Sequence, residues 1–320
     1  MESLITKYRP SSFDEMLGHE YELKAIKANF ASNSPHHTII LMGGAGLGKT
    51  TIARLIAAYL GCTPSGGGCQ EIDGGRVGGV AAMREITAEM RNRSFEKEAK
   101  GVKVKIIDEV HALSTEAWDA LLKSTEEPPD HGYWILMSTE DLKIPDTIKS
   151  RALVFRLKPV STSLIAGYLE SVIAPLEGVS LPAGAYQLIA NEAHGSPRQA
   201  LSYLGTCRAA ESLDEIKQLV VKTDLEELGS LGDFMRLIMK KSKNYEEYKK
   251  VFAGIGEISP GGIKPMMTRY LAKVMSGNTG DQFFALGSIM DAVDQFPRFP
   301  VDSMDAQFHL GMLVQRVWRS

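Results

Sequence analysis

Features of membrane, secreted and disulfide-bonded proteins are scarce in this sequence. No apolar run approaches the roughly 20 residues that a membrane-spanning helix needs, and the first ten residues, MESLITKYRP, are too charged for a signal peptide. Only three cysteines occur in 320 residues, which is typical of a reducing compartment. We therefore expect a cytoplasmic protein without a membrane partner.

The chain also lacks a large charge of either sign. Its net charge is −3, and the charges are spread evenly: residues 1–160 hold 20 Lys/Arg and 21 Asp/Glu, and residues 161–320 hold 16 and 18. Neither half is a basic tail for nucleic acid, so any contact with DNA must come from a local patch. The apolar content of 44% is ordinary for a globular chain of two or three domains.

The cysteines argue against a zinc site. Cys62 and Cys69 are seven positions apart, and no third or fourth ligand lies near them in the sequence. A structural zinc ion is almost always held by four protein ligands. We therefore expect no zinc.

Short apolar runs alternate with stretches of helical spacing in the first half of the chain. Such alternation predicts a parallel sheet with helices on both faces. A glycine-rich stretch, residues 61–70, is predicted to be a loop. The predicted strands are residues 37–42, 102–107, 133–138 and 153–157, and the predicted helices are residues 49–60, 80–91 and 114–125.

Helical patterns without a good strand fill the second half. The last helix carries an amphipathic stripe. The predicted helices before it are residues 161–177, 183–193 and 197–211, and residues 225–320 are helical throughout. We predict three domains, at residues 1–159, 160–223 and 224–320.

The segment GGAGLGKT, residues 43–50, matches the phosphate-binding pattern G-x-x-x-x-G-K-[ST] in full. It follows a predicted strand and opens a predicted helix, whose N-terminus favours an anion. Lys49 would neutralise β- and γ-phosphate charge, and Thr50 would ligate Mg²⁺. The alternative is a glycine-rich turn without a ligand. The predicted nucleotide contacts are Gly43, Gly44, Ala45, Gly46, Leu47, Gly48, Lys49, Thr50 and Thr51.

Two carboxylates end the apolar run KIIDE, residues 105–109, where their burial is costly unless they have a task. Asp108 would hold Mg²⁺ through water, and Glu109 would polarise an attacking water. Alone, the pair could equally be charge at a helix N-terminus; with the phosphate-binding segment it predicts ATP hydrolysis. Thr139, or Ser138 beside it, follows the next predicted strand as a further γ-phosphate contact, or as a satisfied strand-end hydroxyl.

Two arginines stand in unexpected places. Arg198 lies in the first turn of a helix capped by Ser196 and started by Pro197, where a cation opposes the helix dipole, so it predicts a nearby anion. Arg151 precedes a predicted strand, with no acidic residue within four positions on either side. The alternative for Arg198 is a solvated arginine, and the alternative for Arg151 is a solvated helix end.

These segments together resemble the clamp-loader ATPases of the AAA+ superfamily, most closely the bacterial gamma/tau type and more loosely replication factor C and the phage loaders. The resemblance covers residues 1 to about 222, and implies an AAA+ domain, a helical lid domain and a helical collar domain. The matching segments are KYRPSSFDEMLGHE (7–20), GGAGLGKTTIARLIA (43–57), IIDEVHALSTEAWDALLKSTEEPP (106–129), LKIPDTIKSRALVF (142–155) and GSPRQALS (195–202).

The resemblance implies roles for single residues. Arg151 would be an arginine finger that acts in trans, on the ATP bound by a neighbouring subunit. Thr139 would be the sensor 1 residue and Arg198 the sensor 2 residue. The implied adenine-pocket residues are Tyr8, Arg9, Pro10 and Gly18.

The implied function is that of an ATP-driven motor that opens a sliding clamp and loads it onto primer–template DNA during replication. The implied partners are the clamp, the DNA and other loader subunits in a homo- or hetero-oligomer of five. Arg76, Arg84 and Lys123 are the candidate DNA contacts, because basic side chains on helices can follow a phosphate backbone. A solvated helix face is the alternative.

The sequence departs from the family at two points. Ala152 replaces the cysteine that follows the finger, and CTPSGGGC, residues 62–69, replaces a four-cysteine zinc module. The reduced module suggests a divergent bacterial or phage-encoded replisome. The alternative functions are another AAA+ DNA motor, such as a helicase loader or branch-migration helicase, and a nucleotide-binding scaffold subunit that does not hydrolyse ATP.

Overall fold

The structure, a computed structural model, describes most of the first 240 residues. Most of the predicted collar domain, residues 224–320, including its amphipathic last helix, lies outside the described residues. The described residues are 3–63, 67–77, 79–139, 143–227 and 229–240, together with 247, 248, 250, 251, 267, 289 and 293.

The chain divides into two compact units. The first comprises Met1–Val179 and Tyr186–Gly205, and the second comprises Ser180–Ala185 and Thr206–Ser320. Every site residue predicted above belongs to the first unit. The division into three domains stays a prediction.

Five parallel strands form the sheet of the first unit, as the alternating pattern predicts. They are β1 (Thr38–Met42), β2 (Cys69–Asp73), β3 (Lys103–Asp108), β4 (Gly132–Ser138) and β5 (Leu153–Arg156). Their order across the sheet is β2-β3-β4-β1-β5, and every pair is parallel.

The apolar runs become strands because the sheet buries them on both faces. Every residue of β1 and β4 is buried. Successive side chains point to opposite faces, so Ile39 and Leu41 pack into one core and Ile40 and Met42 into the other. The four predicted strands are confirmed, each to within one residue at either end.

Strand β2 was not predicted, and its first residues fall in the stretch expected to be a loop. It is an edge strand that pairs with β3. Only Cys69 among its five residues is buried, so the segment CQEID carries little apolar periodicity. An edge strand with a polar face gives a weak sequence signal.

Helices cover both faces of the sheet, as predicted. Leu23, Ile26 and Ile52 join the core that contains Ile39, and Met83 and Trp118 join the opposite core. The helices up to the last strand are α1 (Leu4–Lys7), α2 (Glu20–Ala31), α3 (Lys49–Tyr59), α4 (Val80–Glu89), α5 (Thr115–Glu126) and α6 (Asp146–Lys149).

The three helices predicted directly after β5 are also present, although the third ends at Thr206 and not at residue 211, and the helix Leu213–Glu227 was not predicted before residue 225. The first is broken by a π-helical turn at Leu169–Ile173. Within the described ranges, no helix combines the length and the hydropathy needed to cross a membrane. The helices are α7 (Thr162–Tyr168), α8 (Ala174–Glu177), α9 (Ala185–Glu192), α10 (Pro197–Thr206), α11 (Leu213–Glu227) and α12 (Ser230–Met239).

Candidate nucleotide-binding site

The carboxyl ends of three neighbouring strands bring the predicted site together. β1 leads into the glycine-rich loop, β3 ends at Asp108 and β4 ends at Ser138. Because β3, β4 and β1 are adjacent and parallel, these groups lie together at the carboxyl ends of the strands, where α/β folds bind ligands. The Gly43 N–H donates to the Ser138 carbonyl at 3.2 Å, which ties the loop to β4.

The loop requires glycine at three positions. At Gly43, with φ +149°, a Cβ would lie 2.7 Å from the Leu157 carbonyl oxygen. Gly46, with φ +75°, and Gly48, with φ +95°, lie in the left-handed region. A Cβ on Gly46 would lie 2.2 Å from Ser196 Oγ, so the loop packs directly against the turn that starts α10. The loop backbone therefore lies too close to the start of α10 to accept a side chain at Gly46.

Lys49 is the buried cation of this loop, with 7% of the residue exposed. Its Nζ donates to the carbonyls of Gly43 and Gly44 at 2.8 and 2.9 Å. Burial lowers the pKa of the ammonium group, and the nearby Glu109 and Asp108 carboxylates partly oppose that effect. Phosphate oxygens could replace the two carbonyls as stronger partners for the charge.

Thr50 and Asp108 face each other across a gap. Thr50 Oγ1 lies 3.5 Å from Asp108 Oδ2, which is longer than an ordinary hydroxyl–carboxylate hydrogen bond. Mg²⁺ prefers such oxygen ligands and keeps several waters. Among the described residues, no group of three or more His, Cys, Asp or Glu could hold a metal ion. The hydroxyl–carboxylate pair fits Mg²⁺ by the chemistry of its oxygen donors.

Glu109 has a strained backbone, and its carboxylate is contacted by neighbouring side chains. Its φ of +48° is left-handed and unusual for a residue other than glycine, a kind of strain that clusters at active sites. Thr139 Oγ1 donates to Glu109 Oε2 at 3.3 Å, and His111 Nδ1 lies 3.3 Å from the same oxygen. His111 Nδ1 is also 3.1 Å from Ser138 Oγ. The structure thus brings both predicted strand-end hydroxyls to the Glu109 side of the site.

Arg198 is held against the loop by the start of α10. Ser196 Oγ accepts the Gln199 N–H at 3.2 Å, which confirms the predicted cap, and it also donates to the Gly46 carbonyl at 3.4 Å. Arg9 lies close to Arg198: burial lowers the Arg9 pKa, and the positive charges of Arg54 and Arg198 lower it further. Cations that repel one another in this way are the arrangement that a polyanion stabilises.

One cavity joins these groups. Of the predicted site residues it includes both carboxylates, Lys49 and Arg198, whereas Gly18, Gly43, Gly44 and Thr139 lie outside its lining. The lining residues are Ile5, Tyr8, Arg9, Pro10, Glu15, Met16, Leu17, Ala45, Gly46, Leu47, Gly48, Lys49, Thr50, Thr51, Asp108, Glu109, Tyr168, Pro197, Arg198 and Leu201.

The remaining lining of the cavity includes the apolar or aromatic residues Ile5, Met16, Leu17 and Tyr168. Tyr8 also lines the cavity, and its hydroxyl donates to Glu177 Oε1 at 2.6 Å. Gly18, with φ +78°, packs against Val160. The following residue, His19, places Nε2 3.0 Å from the Leu47 carbonyl and so connects this turn to the glycine-rich loop.

Arg151 has partners within its own chain, contrary to the expectation from its sequence neighbours. Its Nη2 lies 3.0 Å from Glu126 Oε1, and its Nη1 donates to the Thr147 carbonyl at 2.8 Å. Glu126 ends α5, 25 positions earlier, so no local pattern could reveal it. The Arg151 side chain is 40% exposed, which leaves part of the guanidinium accessible.

The three predicted DNA contacts are exposed but do not form one cluster. Arg84 and Lys123 line the same groove between α4 and α5, together with Arg91. Arg76 lies in the short 3₁₀ turn Gly74–Arg76, where its Nε is 3.2 Å from Asp73 Oδ2. The groove also contains Glu116, Asp119 and Glu127, so its charge is mixed.

Cys62 and Cys69 are buried as free thiols. Burial raises the pKa of Cys62 to about 11 and that of Cys69 to about 12, so neither is a thiolate at neutral pH. The segment between them is held by a carboxylate: Glu96 accepts the Thr63 N–H at 3.1 Å and the Gly68 N–H at 3.0 Å.

The residues that the sequence did not reveal include His111, Tyr168, Ser196 in its contact with the loop, and Glu126, together with the lining residues Ile5, Glu15, Met16, Leu17 and Leu201. Ser196 contacts Gly46 across 150 positions, and Glu126 contacts Arg151 across a helix and a strand. Only His111 had a usable signal, because it stands two positions after Glu109.

Comparison with solved structures identifies the fold. The RuvB Holliday junction branch migration motor of Thermotoga maritima superposes with a TM-score of 0.56, at 22% identity, over 85% of this chain and 92% of that one. A point variant of the same RuvB gives the same values. The chain therefore has an α/β AAA+ fold.

Sequence comparison is more specific. A family model described as "DNA polymerase III, delta subunit" matches residues 73–161. The DNA polymerase III subunit tau of Escherichia coli is 36% identical over 277 residues, covering 82% of this chain and 42% of that protein. The subunit gamma of Buchnera aphidicola subsp. Schizaphis graminum is 34% identical over 277 residues, covering 82% of this chain and 75% of that protein.

The match to the gamma subunit extends over three quarters of that protein, whereas the chain spans less than half of the E. coli tau subunit. The identity of more than 30% extends well beyond the phosphate-binding loop. The chain therefore belongs to the family of DNA polymerase III gamma and tau subunits.

Proposed function

We propose that the chain is an ATP-hydrolysing motor subunit of a sliding-clamp loader. The observation that carries this proposal is the single cavity in which Lys49, the carboxylate pair Asp108 and Glu109, and Arg198 meet. Membership of the gamma and tau family supports the loader assignment.

The residues have distinct tasks in this reaction. Backbone N–H groups of the loop and Lys49 bind the β- and γ-phosphates, with Lys49 giving up the two carbonyls that it now holds. Glu109 orients and polarises the attacking water, and Thr139 fixes the Glu109 carboxylate. Arg198, at the start of α10, contributes positive charge near the transferred phosphoryl group.

The proposal includes Mg²⁺ as cofactor. Thr50 and Asp108 would hold it, Thr50 directly and Asp108 through water. When bound, the ion supplies charge neutralisation on the phosphates.

Sheet geometry supports the assignment of Arg151 to a neighbouring subunit. Met42, which leads into the phosphate-binding loop, pairs with Arg156 of β5. β5 begins at Leu153, three residues before Arg156, so at about 3.3 Å per residue its start lies roughly 10 Å along the strand from the level of Met42, and Arg151 precedes that start, at the amino-terminal ends of the strands. An arginine finger at the amino-terminal ends of the strands can reach the site of a second copy or another subunit more readily than its own site at the carboxyl-terminal ends.

The finer parts of the proposal follow from the family. The partners are the sliding clamp, primer–template DNA and the other loader subunits in a pentamer, in the bacterial cytoplasm. Residues 160–223 form the lid and residues 224–320 the collar. Arg84 and Lys123 contact DNA from the groove between α4 and α5, and Arg76 contacts it separately.

The rival functions have less support. The likeness to RuvB, at 22% identity, concerns the fold and does not favour branch migration. A scaffold that binds ATP without hydrolysing it would use Lys49 but would have no need of Glu109, which lines the same cavity.

The test is ATP turnover with and without primed DNA, clamp and partner subunits. Glu109→Gln should lower turnover about 10²–10⁴-fold, because the amide cannot polarise water, while ATP binding is retained. The control is Glu170→Gln, at an exposed glutamate on the π-helical turn. Unchanged turnover in Glu109→Gln, or turnover by a monomer that ignores DNA, would contradict the proposal.

A further inference from the structure

We propose that His111 is a positioning residue for Glu109: its Nδ1–H anchors one carboxylate oxygen so that the other is presented to the attacking water. The inference rests on the proposed function, because that function gives Glu109 its task. It assigns a role to a residue outside the phosphate-binding loop, the carboxylate pair and the two sensor positions.

Local backbone geometry places the two side chains together. The left-handed Glu109 is followed at once by the 3₁₀ turn Val110–Ala112, which is closed by the Ala112 N–H to the Glu109 carbonyl at 2.9 Å. Residues 109 and 111 therefore both face the end of β4. The His111 side chain is 13% exposed, so its polar contacts are made largely within the protein.

Two contacts fall on the same oxygen of Glu109. Thr139 Oγ1 and His111 Nδ1 each lie 3.3 Å from Oε2. With Oε2 contacted by the Thr139 hydroxyl and, when Nδ1 carries the proton, by His111, Oε1 is the oxygen available to accept a hydrogen bond from water. A carboxylate fixed in this way is ordered before the substrate arrives, which is how a general base gains efficiency.

The position of the imidazole proton decides whether the anchor exists. A neutral imidazole carries its proton on Nδ1 or on Nε2. With the proton on Nδ1, the ring donates to Glu109. With the proton on Nε2, the Nδ1 lone pair accepts the hydroxyl hydrogen of Ser138, 3.1 Å away, and repels the Glu109 oxygen. The anchoring role therefore depends on a donor at the Nδ1 position.

Two amide substitutions separate this role from mere packing. His111→Asn places an amide nitrogen near the position of Nδ1, whereas His111→Gln places it near Nε2. Both remove the imidazole. In the assembled loader with ATP, clamp and primed DNA, His111→Gln should lower kcat about tenfold while the KM for ATP changes less than about twofold, since base catalysis as a whole is worth about 10²–10⁴. His111→Asn should recover most of the loss.

The control is His36→Gln, which removes an exposed histidine, and thermal unfolding of each variant checks that it is folded. Equal losses in His111→Gln and His111→Asn would show a structural role and overturn the inference. Wild-type kcat in His111→Gln would overturn it as well, with the proposed function intact. A wild-type protein without ATP turnover would overturn both.

Discussion

Gly46 stands where the phosphate-binding loop meets the first turn of α10. An added Cβ would lie 2.2 Å from Ser196 Oγ, and the φ of +75° is costly for any residue with a side chain. Gly46→Ala should therefore destabilise the protein by about 1–2 kcal/mol and weaken ATP binding, since Ser196 must move and the Arg198 that follows moves with it. Chemical denaturation and nucleotide titration measure the two effects.

Gly44 provides the matched control for that substitution. It lies in the same loop, but a Cβ there would meet Leu47 Cδ1 at 3.8 Å, an ordinary contact. Gly44→Ala should leave the free energy of unfolding nearly unchanged. If both variants were equally stable, the close packing of the loop against Ser196 would not be the source of the effect.

At the residue scale, the sequence pointed to groups that the cavity brings together where those groups stand in consecutive positions. The pattern from Gly43 to Thr50 and the Asp108–Glu109 pair were each recognisable because the motif and its flanking strand are contiguous. The Glu126–Arg151 ion pair and the Ser196–Gly46 contact were not, because tertiary packing brings those residues together.

At the scale of elements, the carboxylate of Glu96 connects Thr63, which follows α3, to Gly68, which precedes β2. It accepts hydrogen bonds from Thr63 Oγ1 and from the backbone N–H groups of Thr63 and Gly68. These bonds, that from the Thr63 hydroxyl first, lower the pKa of Glu96. The charged Glu96 side chain thus connects the residues that adjoin Cys62 and Cys69.

The sign of the pH effect follows from that lowered pKa. The ionised form is favoured in the folded protein, so the stabilisation is present above the unfolded glutamate pKa of about 4.3 and is lost as the pH falls through the folded value. Hydrogen-exchange protection of the Thr63 and Gly68 amides, corrected for the intrinsic rate, should fall in that acidic range.

Glu96→Gln should speed exchange at those two amides already at pH 7, because a neutral amide is a weaker acceptor than a carboxylate. Glu98→Gln, at an exposed neighbour, is the control. Protection that is equal in both variants at pH 7 would mean that backbone contacts alone hold the segment.

The same segment shows why β2 escaped prediction while β1, β3 and β4 did not. Central strands of a parallel sheet are buried on both faces and read as continuous apolar runs. β2 buries only Cys69, so its letters resemble those of a loop. Its strand conformation is imposed by pairing with β3.

At the scale of the whole molecule, the location of Arg151 relative to its own loop leads to a test in mixed assemblies. Arg151→Ala should leave ATP binding by the mutated subunit unchanged and lower hydrolysis at the neighbouring subunit's site, by up to about 10³–10⁵-fold as for other arginine fingers. Marked wild-type and mutant subunits, assembled in defined positions, allow each site to be measured.

Glu126→Ala is the informative control for that experiment. It removes the ion-pair partner of Arg151 but keeps the guanidinium, and an exposed pair of this kind is worth only about 0.2–1 kcal/mol. If Glu126→Ala reproduced the loss, the effect of Arg151→Ala would come from the local ion pair. If the loss appeared in the mutated subunit's own site, the assignment in trans would be wrong.

For the chain as a whole, alternation of apolar runs and helical spacing was enough to predict the parallel sheet with helices on both faces. Strand order was beyond reach, because β1 is inserted between β4 and β5 by packing that no local pattern encodes. That order is what places the loop, Asp108 and Ser138 side by side.

The opposite locations of Arg151 and the phosphate-binding loop also constrain symmetry. A two-fold dimer would have to place both ends of the strands, the end with the phosphate-binding loop and the end with Arg151, in one self-complementary patch. If Arg151 is the finger proposed above, a donor and an acceptor at opposite ends of the strands would favour head-to-tail contacts, which either close into a ring or leave two unlike ends. In an open arrangement of that kind, one terminal copy would offer an arginine that no neighbour uses, and the other would hold a site that no arginine completes, so complete sites would number one fewer than subunits.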